Sequence, residues 1–256
     1  MLLKLLKYDF RAMWKSFLPI WGAALALALV NRFTLFRDLG SSPIFNADLI
    51  ALAGVGVIVA MLVLSISFVA NRFSKGLLGS EGYLMHTLPV RSWQLVLSKL
   101  VCACATWAIS GAVAFLSPFL MVPMDWSIFL NFHFWNAVVR GLFQRPDTLL
   151  LIAEFCLMVL SCIIQTIAAI YLSASVGHLF PRHRRLASIA AFIGLYVLLA
   201  HSYARFFFWD PFEDLMDTVS NNIHLSLLTC SATMLFPAAL FLAAVCWILE
   251  HKLNLE

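Results

Sequence analysis

Charge is what this sequence has least of. Only 12% of its residues are Asp, Glu, Lys or Arg, where soluble globular domains carry about a quarter. That scarcity excludes an ordinary soluble domain. With 62% hydrophobic residues in a chain of 256, far more apolar surface is present than one aqueous core can bury. A strong imbalance of charge is lacking too. The net charge of +4 is too small to imply nucleic acid as a partner. Catalytic signatures are also missing: there is no G-x-S-x-G, no H-E-x-x-H and no G-x-x-x-x-G-K-[ST], so catalysis by this chain is not expected. No solenoid-length repeat and no low-complexity linker divides the sequence, which reads as a single membrane domain over residues 1–256. The six cysteines (Cys102, Cys104, Cys156, Cys162, Cys230, Cys246) fall inside apolar runs. They suit packing rather than a disulfide framework.

What is present in abundance is long apolar runs. Six of them approach or exceed the roughly 20 residues that a helix needs to cross a bilayer: Phe17–Phe36, Asp48–Ala70, Leu95–Val122, Thr148–Val176, Leu186–Ala204 and His224–Leu249. They are continuous, not alternating, and far longer than a barrel strand. The expected fold is therefore an all-α integral membrane protein with six transmembrane helices. Lys and Arg set its orientation. With the N-terminus in the cytoplasm, the inner segments carry 12 of the 17 Lys and Arg, and the acidic cluster Asp210, Glu213, Asp214 and Asp217 lies outside. An even number of spans returns the C-terminus to the cytoplasm.

The first sixteen residues predict an amphipathic helix. Leu3, Leu6, Phe10, Met13 and Phe17 recur at three- and four-residue steps, and Lys4, Lys7, Arg11 and Lys15 form a basic face, with Asp9 as its exception. Such a helix lies in the membrane interface. Two roles fit it: an anchor on anionic lipid, or a surface that also meets a cytoplasmic partner. A cleaved signal peptide is the lesser reading, because the apolar run continues past the small residues Ala26–Ala28. Between the third and fourth spans, Trp126, Phe129, Phe132, Phe134 and Trp135 predict an aromatic belt with a short helix along the outer surface. Asp125 and His133 lack further ligands at metal-binding spacing, so no metal is expected.

Polar residues inside spans are costly and few. Glu154, Ser161 and Gln165 share one face of the fourth span, and that face continues through Ala169, Ser173 and Gly177. Cys102, Thr106, Ser110 and Ala114 make a similar stripe in the third. Close helix packing accounts for both stripes. A polar pathway or substrate pocket is the lesser reading of the first stripe; for Glu154, which is also placed to reach the outer interface, the readings are closer to balanced. Pro118 and Pro237 each remove a backbone hydrogen bond inside a span, and Thr233, four residues before Pro237, is placed to help the carbonyl so freed. Gly54 and Gly56 predict a close backbone contact in the second span.

The segment LLGSEGYLMHTLPVRSW, residues 77–93, separates spans two and three. Its Ser80, Glu81 and His86 have no catalytic spacing. Its glycines and Pro89 frame a short helix, and Tyr83, Leu84, Met85 and Leu88 offer an apolar patch outside lipid of the kind that meets a protein.

This segment, the opening LLKLLKYDFRAMWKSFLP and the tail WILEHKLNLE resemble the membrane-spanning permease subunits of type-2 ATP-binding-cassette (ABC-2) transporters, in the form common in Gram-positive gut bacteria. The resemblance implies a permease, most simply an exporter, in the bacterial plasma membrane. It would pair with a second permease copy, identical or different, and each copy would sit on a separate nucleotide-binding ATPase. ATP and Mg would be held by that ATPase, with no cofactor on this chain. The resemblance makes residues 79–92 a cytoplasmic coupling helix, with Glu81, Gly82, Tyr83, Leu84, His86 and Leu88 at the ATPase contact. His86 departs from the pattern, which has an aromatic residue, usually Phe, at that place. The short outer segment from Arg205 to Asn222 argues against a large external sensing domain. A non-transporting membrane protein, an immunity or assembly factor acting by binding alone, is the alternative. Peptides, lipids, drugs and ions are all compatible with these spans as cargo.

Overall fold

The computed structural model describes residues 2–37, 43–78, 92–121, 127, 131–144, 146–180, 182–207 and 221–251. Among these residues every element is helical: α1 (Leu2–Arg37), α2 (Pro43–Phe73) running on into a π-helical turn (Ser74–Leu78), α3 (Ser92–Met121), α4 (Phe132–Gln144), α5 (Pro146–His178), α6 (Arg184–Phe207) and α7 (Ile223–His251). Six of them are long and apolar enough to cross a membrane: Leu6–Val30, Gly54–Leu77, Ser92–Leu120, Asp147–His178, Arg184–Arg205 and Ile223–His251. The chain is thus a multi-pass membrane protein. The second span runs further than its apolar pattern suggests, to Leu77 instead of Ala70, because Arg72 and Lys75 sit at its end and do not interrupt it.

The amphipathic N-terminal stretch is continuous with the first span, and α1 has no break near residue 16. Its buried stripe is Asp9, Met13, Phe17, Trp21, Ala24 and Ala28, spaced at three and four residues as one helix face requires. Phe10, expected on that face, points outward, while Asp9 lies on it at 6% exposure. Periodicity accounts for the exchange: Asp9 continues the four-residue row of Met13, Phe17 and Trp21, and Phe10 does not. Lys7, Arg11 and Lys15 are exposed.

The chain divides into two compact units. One comprises Leu3–Ser67 and Ala105–Leu149. Within it an aromatic column climbs α1, with Trp14 edge-on to Trp21 at 5.3 Å between ring centroids and Phe17 tilted against Trp21. The indole nitrogen of Trp21 donates to the Ser110 hydroxyl at 2.9 Å. Ser110 lies on the small stripe of α3, where Thr106 and Ala114 are buried as well. In lipid the driving forces between helices are close packing and such hydrogen bonds, which is why this face is small and weakly polar. Gly54 is buried, and a Cβ there would meet the Pro118 ring at 3.8 Å, whereas Gly56 faces open space. Only the first of the two glycines makes the expected contact. In this unit α4 opens on Asn131, whose side-chain oxygen accepts the backbone N–H of His133 at 3.0 Å, the usual device for a helix N-terminus. Its Phe132, Trp135 and Phe143 are exposed.

The other unit comprises Met1–Leu2, Phe68–Cys104 and Leu150–Glu256. Its core is dense around α5: Ile167 to Leu172 are all buried, and Tyr171 stacks on Phe73 with centroids 4.1 Å apart. Helices α5 and α6 form an antiparallel hairpin. Gly177 permits a close approach, since a Cβ there would lie 1.8 Å from the Ser188 hydroxyl and 2.8 Å from the Arg184 carbonyl. Cys156 and Cys162 lie on the exposed face of α5, so packing does not account for these two of the six cysteines. No residue of α6 between Arg184 and Arg205 is buried.

Candidate functional site

The polar face of α5 is the feature that the sequence singles out and the structure elaborates. Glu154, Ser161 and Gln165 are all buried, Glu154 at 8% exposure, and Ala169, Ser173 and Gly177 continue the stripe. By helical rise, Glu154 lies about 10 Å inside the span from Asp147. A carboxyl at that depth needs a partner, and it has one. Nδ1 of His224 lies 2.7 Å from its Oε2. The placement of His224 follows from local sequence. Asn222 caps α7, its side-chain oxygen accepting the N–H groups of His224 and Leu225 at 3.1 and 3.4 Å. The cap fixes the first turn of α7 and with it the imidazole facing α5.

Deeper along the same face, Ser161 is satisfied within its own helix, donating to the Leu157 carbonyl at 2.7 Å. Gln165 instead reaches across, its side-chain nitrogen donating to the Tyr203 hydroxyl of α6. Tyr203 passes the interaction on by donating to the Thr233 carbonyl of α7 at 3.3 Å. That carbonyl is the one Pro237 leaves without an intrahelical donor. Sequence reasoning points to the Thr233 side chain as the helper. In the structure the help comes from Tyr203, while the Thr233 hydroxyl donates to the Cys230 carbonyl at 2.9 Å. A second, longer contact joins Tyr196 to Thr166 at 3.5 Å. Three helices are thereby tied by polar groups along one line: Glu154 to His224, then Gln165 to Tyr203 to Thr233.

Beside this line, α6 and α7 flank a hollow of about 710 Å³. Tyr203, Thr233 and Pro237 all line it. In the other unit, α1 and α2 flank a smaller hollow of about 510 Å³ that is almost wholly apolar.

A further arrangement lies where α2 ends. Lys99 of α3 is 5% exposed, and its ammonium lies 3.2 Å from where a Cβ on Gly76 would be. Gly76 sits in the π-helical turn Ser74–Leu78, so the missing side chain leaves the space that the lysine head occupies.

The residues assigned to the coupling segment, Glu81, Gly82, Tyr83, Leu84, His86 and Leu88, lie outside the described residues, as does the side chain of Lys4. Lys7, Arg11 and Lys15 belong to the other unit and are exposed on α1. No group of three metal-ligating side chains occurs among the described residues. His224, Tyr203 and Lys99 are the participants that the sequence does not single out. His224 carries one signal, its place two residues after a capping Asn at the head of a span. Tyr203 carries none that spacing could reveal. No family model, curated protein or solved structure matches the chain.

Proposed function

We propose that this chain is the membrane-spanning permease subunit of an ATP-driven transporter of the ABC-2 type, working as an exporter in the bacterial plasma membrane. The observation that carries the reading is the order of parts. Six span-length helices occur with residues 79–91 between the second and third, where the resemblance puts the ATPase contact. The π-helical turn leads directly into that segment, and π-helical turns concentrate at functional sites. Lys99 is buried beside Gly76 of that turn. In this reading α1 begins as an amphipathic helix whose basic face meets the inner leaflet, and both termini are cytoplasmic.

Work would pass from the partner inward. ATP binding closes a pair of ATPase subunits and draws the coupling segments together, and the spans respond as levers. The ATP supplies the differential affinity for two states without which no conformational change is explained. The line from Glu154 through Gln165 to Tyr203 and Thr233 joins three spans by exchangeable hydrogen bonds, which suits helices that move as a set. ATP and Mg reside on the ATPase, and a second permease copy completes the assembly.

Co-purification in mild detergent tests the proposal. The Tyr83→Asp, Leu84→Asp double variant is expected to lose the ATPase and its stimulated ATP turnover while expressing at the level of the native chain. Undiminished association would refute the coupling assignment and favour the alternative, a membrane protein acting by binding alone.

A further inference from the structure

We infer that the hollow between α6 and α7 is a binding site for an uncharged amphiphile, a single hydrocarbon chain ending in a hydroxyl-bearing head. The first ground is its size. About 710 Å³ lies inside the range of small-molecule sites.

The second ground is the state of its polar groups. Four hydroxyls line the hollow, those of Ser202, Tyr203, Thr229 and Thr233. Each hydroxyl has one proton, and each proton is spent within the protein. Ser202 donates to the Leu198 carbonyl at 2.7 Å, Thr229 to the Leu225 carbonyl at 2.8 Å, Thr233 to the Cys230 carbonyl at 2.9 Å, and Tyr203 to the Thr233 carbonyl at 3.3 Å. Tyr203 also accepts from Gln165. What Ser202, Thr229 and Thr233 can still offer an occupant is lone pairs only. The matching head group is a hydrogen-bond donor.

The third ground is charge. Among the described residues, no Asp, Glu, Lys, Arg or His lines the hollow. A carboxylate or phosphate would meet neither a cation nor a free donor in the lining, and an ammonium would find no counter-charge, so an ionised head is disfavoured there. The remaining lining is leucine, phenylalanine, alanine and proline, which suits a hydrocarbon chain. Both walls are spans, so the occupant arrives from the bilayer.

The site is preformed on one side. Tyr203 is held from two directions, by Gln165 and by the Thr233 carbonyl, so its ring is a fixed floor and need not be ordered by the ligand. The stretch of α6 before Tyr203, with no buried residue from Arg184 to Ser202, supplies the wall that can yield to admit a chain.

The test uses the full-length protein in lipid nanodiscs with no ATPase present, so its outcome is independent of the transport proposal. The probe is a monoacylglycerol with a diazirine in its chain, photolysed and mapped by mass spectrometry. Label is expected on peptides covering residues 195–203 and 229–241, displaced by excess unlabelled monoacylglycerol. Thr229→Val keeps the shape and removes an acceptor, and should weaken displacement about fivefold, the value of one hydrogen bond. Leu199→Trp, which fills the hollow, should abolish the label. Label spread equally over the exposed face of α2, or displaced equally by the hydroxyl-free hydrocarbon, would mean ordinary bilayer lipid and overturn the site. Equal displacement by a fatty acid carboxylate would overturn the uncharged class. Disulfide dimers formed by Phe236→Cys, with no label on the native chain, would show that a second copy covers the hollow and would overturn it as well.

Discussion

Pro237 has no amide hydrogen, so the Thr233 carbonyl in the turn before it lacks its ordinary partner. Within a lipid-embedded helix such a carbonyl is costly unless something replaces that donor. Tyr203 does so from the neighbouring helix. The two residues are therefore coupled, although they share no element. Tyr203→Phe is expected to destabilise the protein by about 2 kcal/mol, through loss of the bonds to Thr233 and Gln165. In a Pro237→Ala background the new amide serves the carbonyl, and the cost of Tyr203→Phe should fall by about 1 kcal/mol. Denaturation in detergent micelles, followed through helix content, measures all four corners of this cycle. Equal costs in the two backgrounds would show that Tyr203 does nothing for that carbonyl. The sequence displays the proline and the orphaned carbonyl but not the donor. Gln165 and Tyr203 are 38 residues apart, and Glu154 and His224 are 70 apart. Only the way the helices are laid together makes either pair a pair.

At the scale of elements, the spans are legible because an unbroken apolar run of bilayer length is rare outside a membrane. The faces within them are legible where the period is strict. Glu154, Ser161 and Gln165 read as one stripe, and all three are buried on it. On α1 the same reasoning fails by one residue, with Asp9 buried and Phe10 outside. There angular position decides which row faces inward, and Asp9 falls on the row of Met13, Phe17 and Trp21 despite its charge. The turn between α5 and α6 is legible only as a basic loop. Its tightness at Gly177 depends on Arg184 and Ser188 coming back against α5, which no local pattern announces. Gly177→Ala is expected to cost about 1–3 kcal/mol, as overpacked contacts do, and to lower the Tm in detergent. Adding Ser188→Gly should recover only part of the loss, since the Arg184 carbonyl would still lie 2.8 Å from the new methyl. Full recovery would mean that the serine alone closes the gap.

For the whole molecule, topology is the quantity that the proposed function requires. If residues 79–91 meet an ATPase, they face the cytoplasm and residues 208–220 face outward. With the six native cysteines replaced by alanine, Ser80→Cys should resist a membrane-impermeant maleimide on intact cells, and Ser220→Cys should react. The opposite pattern would remove the ATPase contact from the reach of any cytoplasmic partner and end the permease proposal. The sequence speaks to this through its uneven Lys and Arg.

Helix α6 stands apart from the other spans in one respect. Having no buried residue between Arg184 and Arg205, it is held by its tight turn against α5, by the hydroxyls of Tyr196 and Tyr203, and by a half-buried row at Ser188, Ala191, Leu195, Leu199 and Tyr203. A helix that buries so little can shift at the cost of those hydrogen bonds and a shallow seam, without opening the core around Tyr171. Helix α5 has no such freedom. The fold thus sets a door beside a post, and the side chains most able to stop it turning are two tyrosines on the door itself.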